Sequence, residues 1–330
     1  MLKSDRCGII CLMFIHLVLI AVGLAILVFG AEILVRGASS ISKKLGIPSL
    51  VIGLTVVAFG TSAPELVVNL TSAFKGASEI AVGNIIGSNI ANILLILGTS
   101  ALIINLKVQR STVWKEIPFA LLAAIAVLLM TADNALDGSA VNVISRSDGL
   151  VLLGFFAIFM YYTVALFKNG GADQEEIKIY PNHISTLMIL AGLFALFFGG
   201  NLLVQEATAL AKLAGLSDLL IGLTIVAIGT SLPEFATSVI AAKKGQPDIA
   251  IGNIVGSNIF NIFFILGVTG SISPIPVASN AFASIVVCII VTTLLFFALF
   301  VGKKHTLERW QGVLFLVLYL LYSIFLVYQG

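Results

Sequence analysis

Two six-residue stretches hold the residues of this chain best suited to chemistry. Gly60-Thr61-Ser62-Ala63-Pro64-Glu65 and Gly229-Thr230-Ser231-Leu232-Pro233-Glu234 each set a glutamate directly after a proline. Both lie inside long apolar runs without a lysine or arginine to pair the acid. A carboxylate at such a depth in a bilayer costs about 2.5–3.5 kcal/mol on insertion scales. Proline lacks an N–H and clashes with the carbonyl four residues back. Pro64 therefore releases the carbonyl of Gly60, Pro233 releases that of Gly229, and the carbonyls of Thr61 and Thr230 loosen too. A released carbonyl inside a membrane must find a donor or a cation. Ser62 and Thr61 fall three and four residues before Glu65, on its helix face, and Ser231 and Thr230 stand the same way to Glu234. Carboxylate, carbonyl and hydroxyl together are the donors a hard cation takes. Calcium accepts about six to eight such oxygens, and sodium takes similar donors. The absence of histidine and cysteine from both stretches argues against zinc or copper.

A second polar stripe accompanies the first. Asn84, Ser88 and Asn92 follow one another at four-residue intervals, as do Asn253, Ser257 and Asn261. Ser88, Ser257, Asn92 and Asn261 are read as coordinating oxygens, Asn84 and Asn253 less so, with interhelical hydrogen bonding as the alternative for all six. Asn89 and Asn258 leave this face and are read as structural. Glu32 and Glu206 are expected near a membrane face or a water-filled path. His16, His183 and His305 are isolated in the sequence.

The elements that must position these groups follow from composition. Of 330 residues 59% are hydrophobic and 10% charged, with a mean hydropathy of +1.12. A soluble chain of this length needs more charge than that. About 20 apolar residues cross the hydrocarbon core. Ten runs qualify, at 12–36, 48–74, 80–104, 114–132, 149–167, 184–211, 217–242, 248–270, 281–301 and 310–328. The expected fold is an all-α integral membrane protein. Its loops carry 13 Lys and Arg on one side and 5 on the other, which places both termini outside the cell. The three cysteines form neither a disulfide framework nor a zinc pattern. No nucleophile–base pair or phosphate loop argues for an enzyme. Nothing calls for an organic cofactor, nucleic acid or an obligatory protein partner.

The chain also repeats itself. IGLTVVAFGTSAPE at 52–65 returns as IGLTIVAIGTSLPE at 221–234, an offset of 169 residues. IAVGNIIGSNIANILLILG at 80–98 returns at the same offset as IAIGNIVGSNIFNIFFILG at 249–267. The expected division is a first five-helix repeat at 1–167, a cytoplasmic linker at 168–183 and a second repeat at 184–330. Five helices are an odd number, so the halves are inverted and the substrate site is expected near the midplane.

With these motifs the sequence resembles the calcium/cation antiporter superfamily, and within it the prokaryotic sodium/calcium exchangers. The resemblance rests on GTSxPE and GNxxGSNI in both halves and covers nearly the whole chain. It implies exchange of sodium for calcium by alternating access, with both ions as transported substrates and helices one and six as a gating pair. It also implies a ligand set. Calcium would take the carboxylates of Glu65 and Glu234 and the carbonyls of Thr61 and Thr230. Sodium would take Ala58, Ser62 and Ser88 on one side and Ala227, Ser231 and Ser257 on the other. Asn92 and Asn261 would complete the centre. Potassium-dependent relatives carry Asp at one position matching that central pair, whereas both are Asn here. Rival readings are a proton/calcium exchanger on the same scaffold and a cation channel. The serine hydroxyls favour sodium over the first, and a pseudo-symmetric site within one chain favours a carrier over the second.

Overall fold

The computed structural model describes residues 2–74, 79–138, 141–169, 178–213, 229–277 and 281–329. The chain is mostly helical. α1 is Leu2–Leu45 and is followed by a bent pair, α2 (Ser49–Thr61) and α3 (Ala63–Phe74), which meet at 44°. Then come α4 (79–103), α5 (Thr112–Met130), the short α6 (Asp133–Asp137) and α7 (Arg146–Asn169). The later part holds α8 (Asn182–Leu213), α9 (Leu232–Lys243), α10 (Pro247–Ile272), α11 (Ala281–Ala298) and α12 (Arg309–Gln329).

Among the described residues eight helices are long and apolar enough to cross a membrane, or nine if α2 and α3 form one span. The seventh expected span, 217–242, has only its C-terminal part, α9, inside the described residues. The first expected span is too short: the helix runs on through Leu45, because a helix need not stop where the hydrocarbon does. All-α also needs a small correction. Among the described residues four two-residue strands pair as β1 (Leu106–Lys107) with β4 (Thr306–Leu307) and β2 (Val143–Ile144) with β3 (Ile275–Pro276). Helix ends leave backbone groups without partners, and these loops satisfy some of theirs on each other.

Two layers position the polar stripes. α10 and α4 form the interior and are mostly buried, whereas α7 and α12 are mostly exposed. Gly252 and Gly256 let α10 lie directly on α2; a Cβ on Gly252 would stand 2.9 Å from the Leu50 carbonyl oxygen.

Outside this core, α1 and α8 run antiparallel against each other. Gly23 backs onto Gly199, Gly30 onto Gly192 and Gly37 onto Ser185. These glycines form a seam within the α1–α8 pair, because only a residue without Cβ lets two backbones come so near.

Candidate functional site

The helical ladder lapses at each proline motif. Ser62 N–H donates to the Ala58 carbonyl at 3.0 Å, and the next bond across the bend is Leu66 N–H to the Ser62 carbonyl at 3.2 Å. Pro64 has no N–H for the Gly60 carbonyl, and the Glu65 N–H makes no bond to the Thr61 carbonyl among the described residues. In the later motif Phe235 N–H donates to the Ser231 carbonyl at 2.9 Å, where α9 begins. Each glutamate thus sits in the first turn of a helix, where the N-terminal end of the dipole favours negative charge.

Glu65 and Glu234 are both fully buried, and the hydroxyls reach them crosswise. Ser62 donates to Glu234 Oε1 at 2.9 Å, and Ser231 donates to Glu65 Oε1 at 3.5 Å. Ser88 donates to Glu65 Oε1 at 3.4 Å and Ser257 to Glu234 Oε1 at 3.4 Å. Each carboxylate therefore receives one hydroxyl from its own half and one from the other.

The remaining oxygens have no partner. Glu65 Oε2, Glu234 Oε2, Asn92 Oδ1 and Asn261 Oδ1 are all buried without a hydrogen bond, as is the Thr230 hydroxyl. A buried polar atom left unpaired costs about 1–3 kcal/mol, more when charged. The first four are acceptors when the glutamates are ionised, and such oxygens are the donors a hard cation takes.

Ala58 is buried under α10, beside Gly256. The Thr61 hydroxyl is committed elsewhere, to Asn253 Oδ1 at 2.9 Å and the Ala58 carbonyl at 3.3 Å, which leaves the Thr61 carbonyl as its free oxygen. Ala227 lies outside the described residues. Asn253 also donates to the Glu234 carbonyl at 3.3 Å and to Ser238 at 2.9 Å, so it braces the site. Asn69 holds the Glu65 carbonyl at 2.9 Å in the other half and was not singled out in the sequence. Its counterpart at the 169-residue offset is Ser238, so comparing the halves hides it.

A cavity of about 220 Å³ adjoins the site. Pro64, Val67 and Val68 line it from α3, Phe197, Gly200, Asn201 and Val204 from α8, and Gly229, Thr230 and Pro233 from the later motif. Of the counterparts in the other half, Ala31, Val35, Thr61, Ala236 and Thr237 are each at most 5% exposed, while Val28 is 42% exposed. Glu32, the counterpart of Asn201, binds Lys244 at 3.0 Å and Arg36 at 2.5 Å on that side. His16 is not isolated: its Nδ1 lies 2.5 Å from Glu206 across the α1–α8 seam.

The family model described as sodium/calcium exchanger protein matches the chain twice, at residues 15–165 and 184–328. The chain belongs to the sodium/calcium exchanger family. Among this family's solved structures, the sodium-calcium exchanger NCX_Mj soaked with 2.5 mM Na⁺ and 10 mM Sr²⁺ superposes with a TM-score of 0.80 at 35% identity. That likeness covers 94% of this chain and 98% of the other. The sodium/calcium exchanger MaX1 of Methanosarcina acetivorans is 31% identical over 350 residues, 95% of this chain and 99% of that protein. The inner membrane protein YrbG of Escherichia coli is 37% identical over 272 residues, 79% of this chain and 81% of that protein. This exchanger-family chain is accordingly a multi-pass membrane protein from a family of calcium/cation antiporters.

Proposed function

We propose that this chain exchanges sodium for calcium by alternating access at the Glu65–Glu234 site, and that the exchange is electrogenic. The observation that carries the reading is the set of four buried, unpartnered oxygens on Glu65, Glu234, Asn92 and Asn261. Calcium takes the two carboxylates with the Thr61 and Thr230 carbonyls. Sodium takes Ala58, Ser62 and Ser88 in one half and Ala227, Ser231 and Ser257 in the other, and Asn92 and Asn261 complete the central position for either ion. Two carboxylates supply a charge of −2. One calcium cancels it, three sodium ions overbalance it by one, and the empty site keeps both charges. An uncompensated double charge resists passage through the low-dielectric barrier, so the loaded states cross and leak is suppressed. Three-for-one exchange moves one net charge per cycle, worth about 2.3 kcal/mol per 100 mV.

The architecture that goes with this reading is ten helices in two inverted repeats, 1–167 and 184–330, joined by a cytoplasmic linker at 168–183. Both termini face outward and the membrane is the cell membrane. Support comes from contacts that recur in mirrored form. Gly98 meets Gly312 while Gly267 meets Gly149, and β1 pairs with β4 while β2 pairs with β3.

Calcium-45 uptake into sodium-loaded proteoliposomes tests the function. The expected result is uptake that needs the outward sodium gradient and speeds up when the interior is made positive. Uptake that follows a proton gradient and ignores sodium would replace this reading with proton exchange. Single-channel currents would replace it with a channel.

A further inference from the structure

Asn89 and Asn258 carry no ligand role in the sodium/calcium reading, yet they are almost fully buried at the end of the first straight segment of α4 and α10. Just beyond them each helix widens into a π-turn, at Asn92–Leu97 and Phe260–Leu266. A π-turn inserts one residue into the ladder, and such turns gather at functional sites. Side-chain amides reach the two backbone carbonyls ahead of these turns. Asn258 Nδ2 donates to the Asn89 carbonyl at 3.2 Å, and Asn89 Nδ2 donates to the Asn258 carbonyl at 3.1 Å. Asn92 Nδ2 donates to Asn258 Oδ1, and Asn261 Nδ2 to Asn89 Oδ1, each at 2.9 Å.

These four bonds admit one arrangement of the amides. A backbone carbonyl only accepts and cannot turn over. The Asn89 carbonyl therefore demands Nδ2 from Asn258, which points Asn258 Oδ1 at Asn92. That oxygen demands Nδ2 from Asn92 in turn, and Asn92 Oδ1 is left buried and unpartnered. The mirrored chain of bonds leaves Asn261 Oδ1 in the same condition. Reversing either outer amide would set two oxygens against each other in a dry interior.

We propose that Asn89 and Asn258 are positioning residues, which lock the side-chain amides of Asn92 and Asn261 so that each presents oxygen, and never N–H, to the transported cation. The proposal rests on the site reading above, in which Asn92 and Asn261 face the ions. It explains how a neutral amide, half donor and half acceptor, serves as a dependable cation ligand. An aspartate at the same place would need no such lock, because both of its carboxylate atoms are oxygens.

That difference supplies the test. Calcium binding to the purified protein is measured by isothermal titration in four forms: wild type, Asn258→Leu, Asn92→Asp and the double variant. With Asn92 in place, Asn258→Leu is expected to weaken binding about tenfold, the cost of one buried hydrogen bond and a misoriented amide. In the Asn92→Asp background the same change is expected to cost less than about twofold, since either carboxylate oxygen serves. Equal losses in both backgrounds would mean that Asn258 only packs the helices, and would overturn the proposal. Should Asn258→Leu fail to give monodisperse protein, the mirrored cycle of Asn89→Leu with Asn261→Asp answers the same question. Binding is read without any gradient. Uptake driven by protons instead of sodium therefore defeats the coupling reading and leaves this inference standing. Calcium binding unchanged in Asn92→Asp and Asn258→Leu alike would defeat this inference while uptake could still be sodium-driven.

Discussion

Glu65 and Glu234 each receive a hydroxyl from the opposite half, so neither acid belongs to one half alone. Glu65→Gln or Glu234→Gln removes one of two charges that hold a desolvated divalent ion. Breaking a buried charge pair costs about 3–5 kcal/mol, so calcium uptake in either variant is expected to fall by about two orders of magnitude or more in the proteoliposome assay. The crossed serines allow a finer test. Ser62 bonds Glu234 at 2.9 Å, and a hydrogen bond to a charged group is worth about 1.5–3 kcal/mol. Apparent sodium affinity measured through a double-mutant cycle should couple Ser62→Ala to Glu234→Gln. Coupling to Glu65→Gln, three residues away on the same chain segment, should be much weaker. The reverse order would mean that the glutamates are served from within each half.

At the scale of the element, proline and glycine act through what they lack. Pro64 withholds an N–H and opens the ladder over Gly60 and Thr61, and the chain bends by 44° there. Glycine withholds a Cβ along the α1–α8 seam. A Cβ on Gly30 would lie 2.8 Å from the Ala195 Cβ and 3.0 Å from the Gly192 carbonyl oxygen. Gly30→Leu is therefore expected to destabilise by about 1–3 kcal/mol and to lower the melting temperature of the purified protein. Gly154 on α7 is exposed with nothing within 4 Å. Gly154→Ala should leave the melting temperature unchanged or raise it, since glycine in a helix costs about 1 kcal/mol against alanine. A melt that responds equally to both changes would deny the seam its special role.

Across the whole molecule the two halves share a plan and differ in burial. A cavity stands beside Val68 and Thr230, while their counterparts Thr237 and Thr61 are fully buried. Under the exchange proposed above, two-fold related pathways would stand in opposite states in any one conformation. The more buried side also carries the Glu32–Lys244 pair, whose counterparts by sequence offset are Asn201 and Lys75 and hold no opposite charges. A partly exposed pair of this kind contributes about 0–1 kcal/mol. In a cysteine-free background, Val68→Cys should react with a membrane-impermeant maleimide applied to right-side-out vesicles, and Thr237→Cys should resist it. Equal labelling at these equivalent positions would show that the two sides are not alternately open.

The sequence alone determined the chemistry and the duplication. A carboxylate after proline in an apolar run is costly wherever the chain goes, so its repetition at a fixed offset marked Glu65 and Glu234 with their hydroxyl neighbours. Helices were legible because apolar length is a local property, although the far end of α1 and the bend after Thr61 depend on packing and on backbone bonds. Only the tertiary structure decided which oxygen meets which acid. Ser62 lies beside Glu65 in the chain and serves Glu234 in space, because folding brings the two motifs together. Asn89 and Asn258 look like bystanders in sequence, since a hydrogen bond across 169 residues leaves no local periodicity. The unequal burial of the two sides was equally illegible, since near-identical motifs leave no mark of which counterpart residues end up buried.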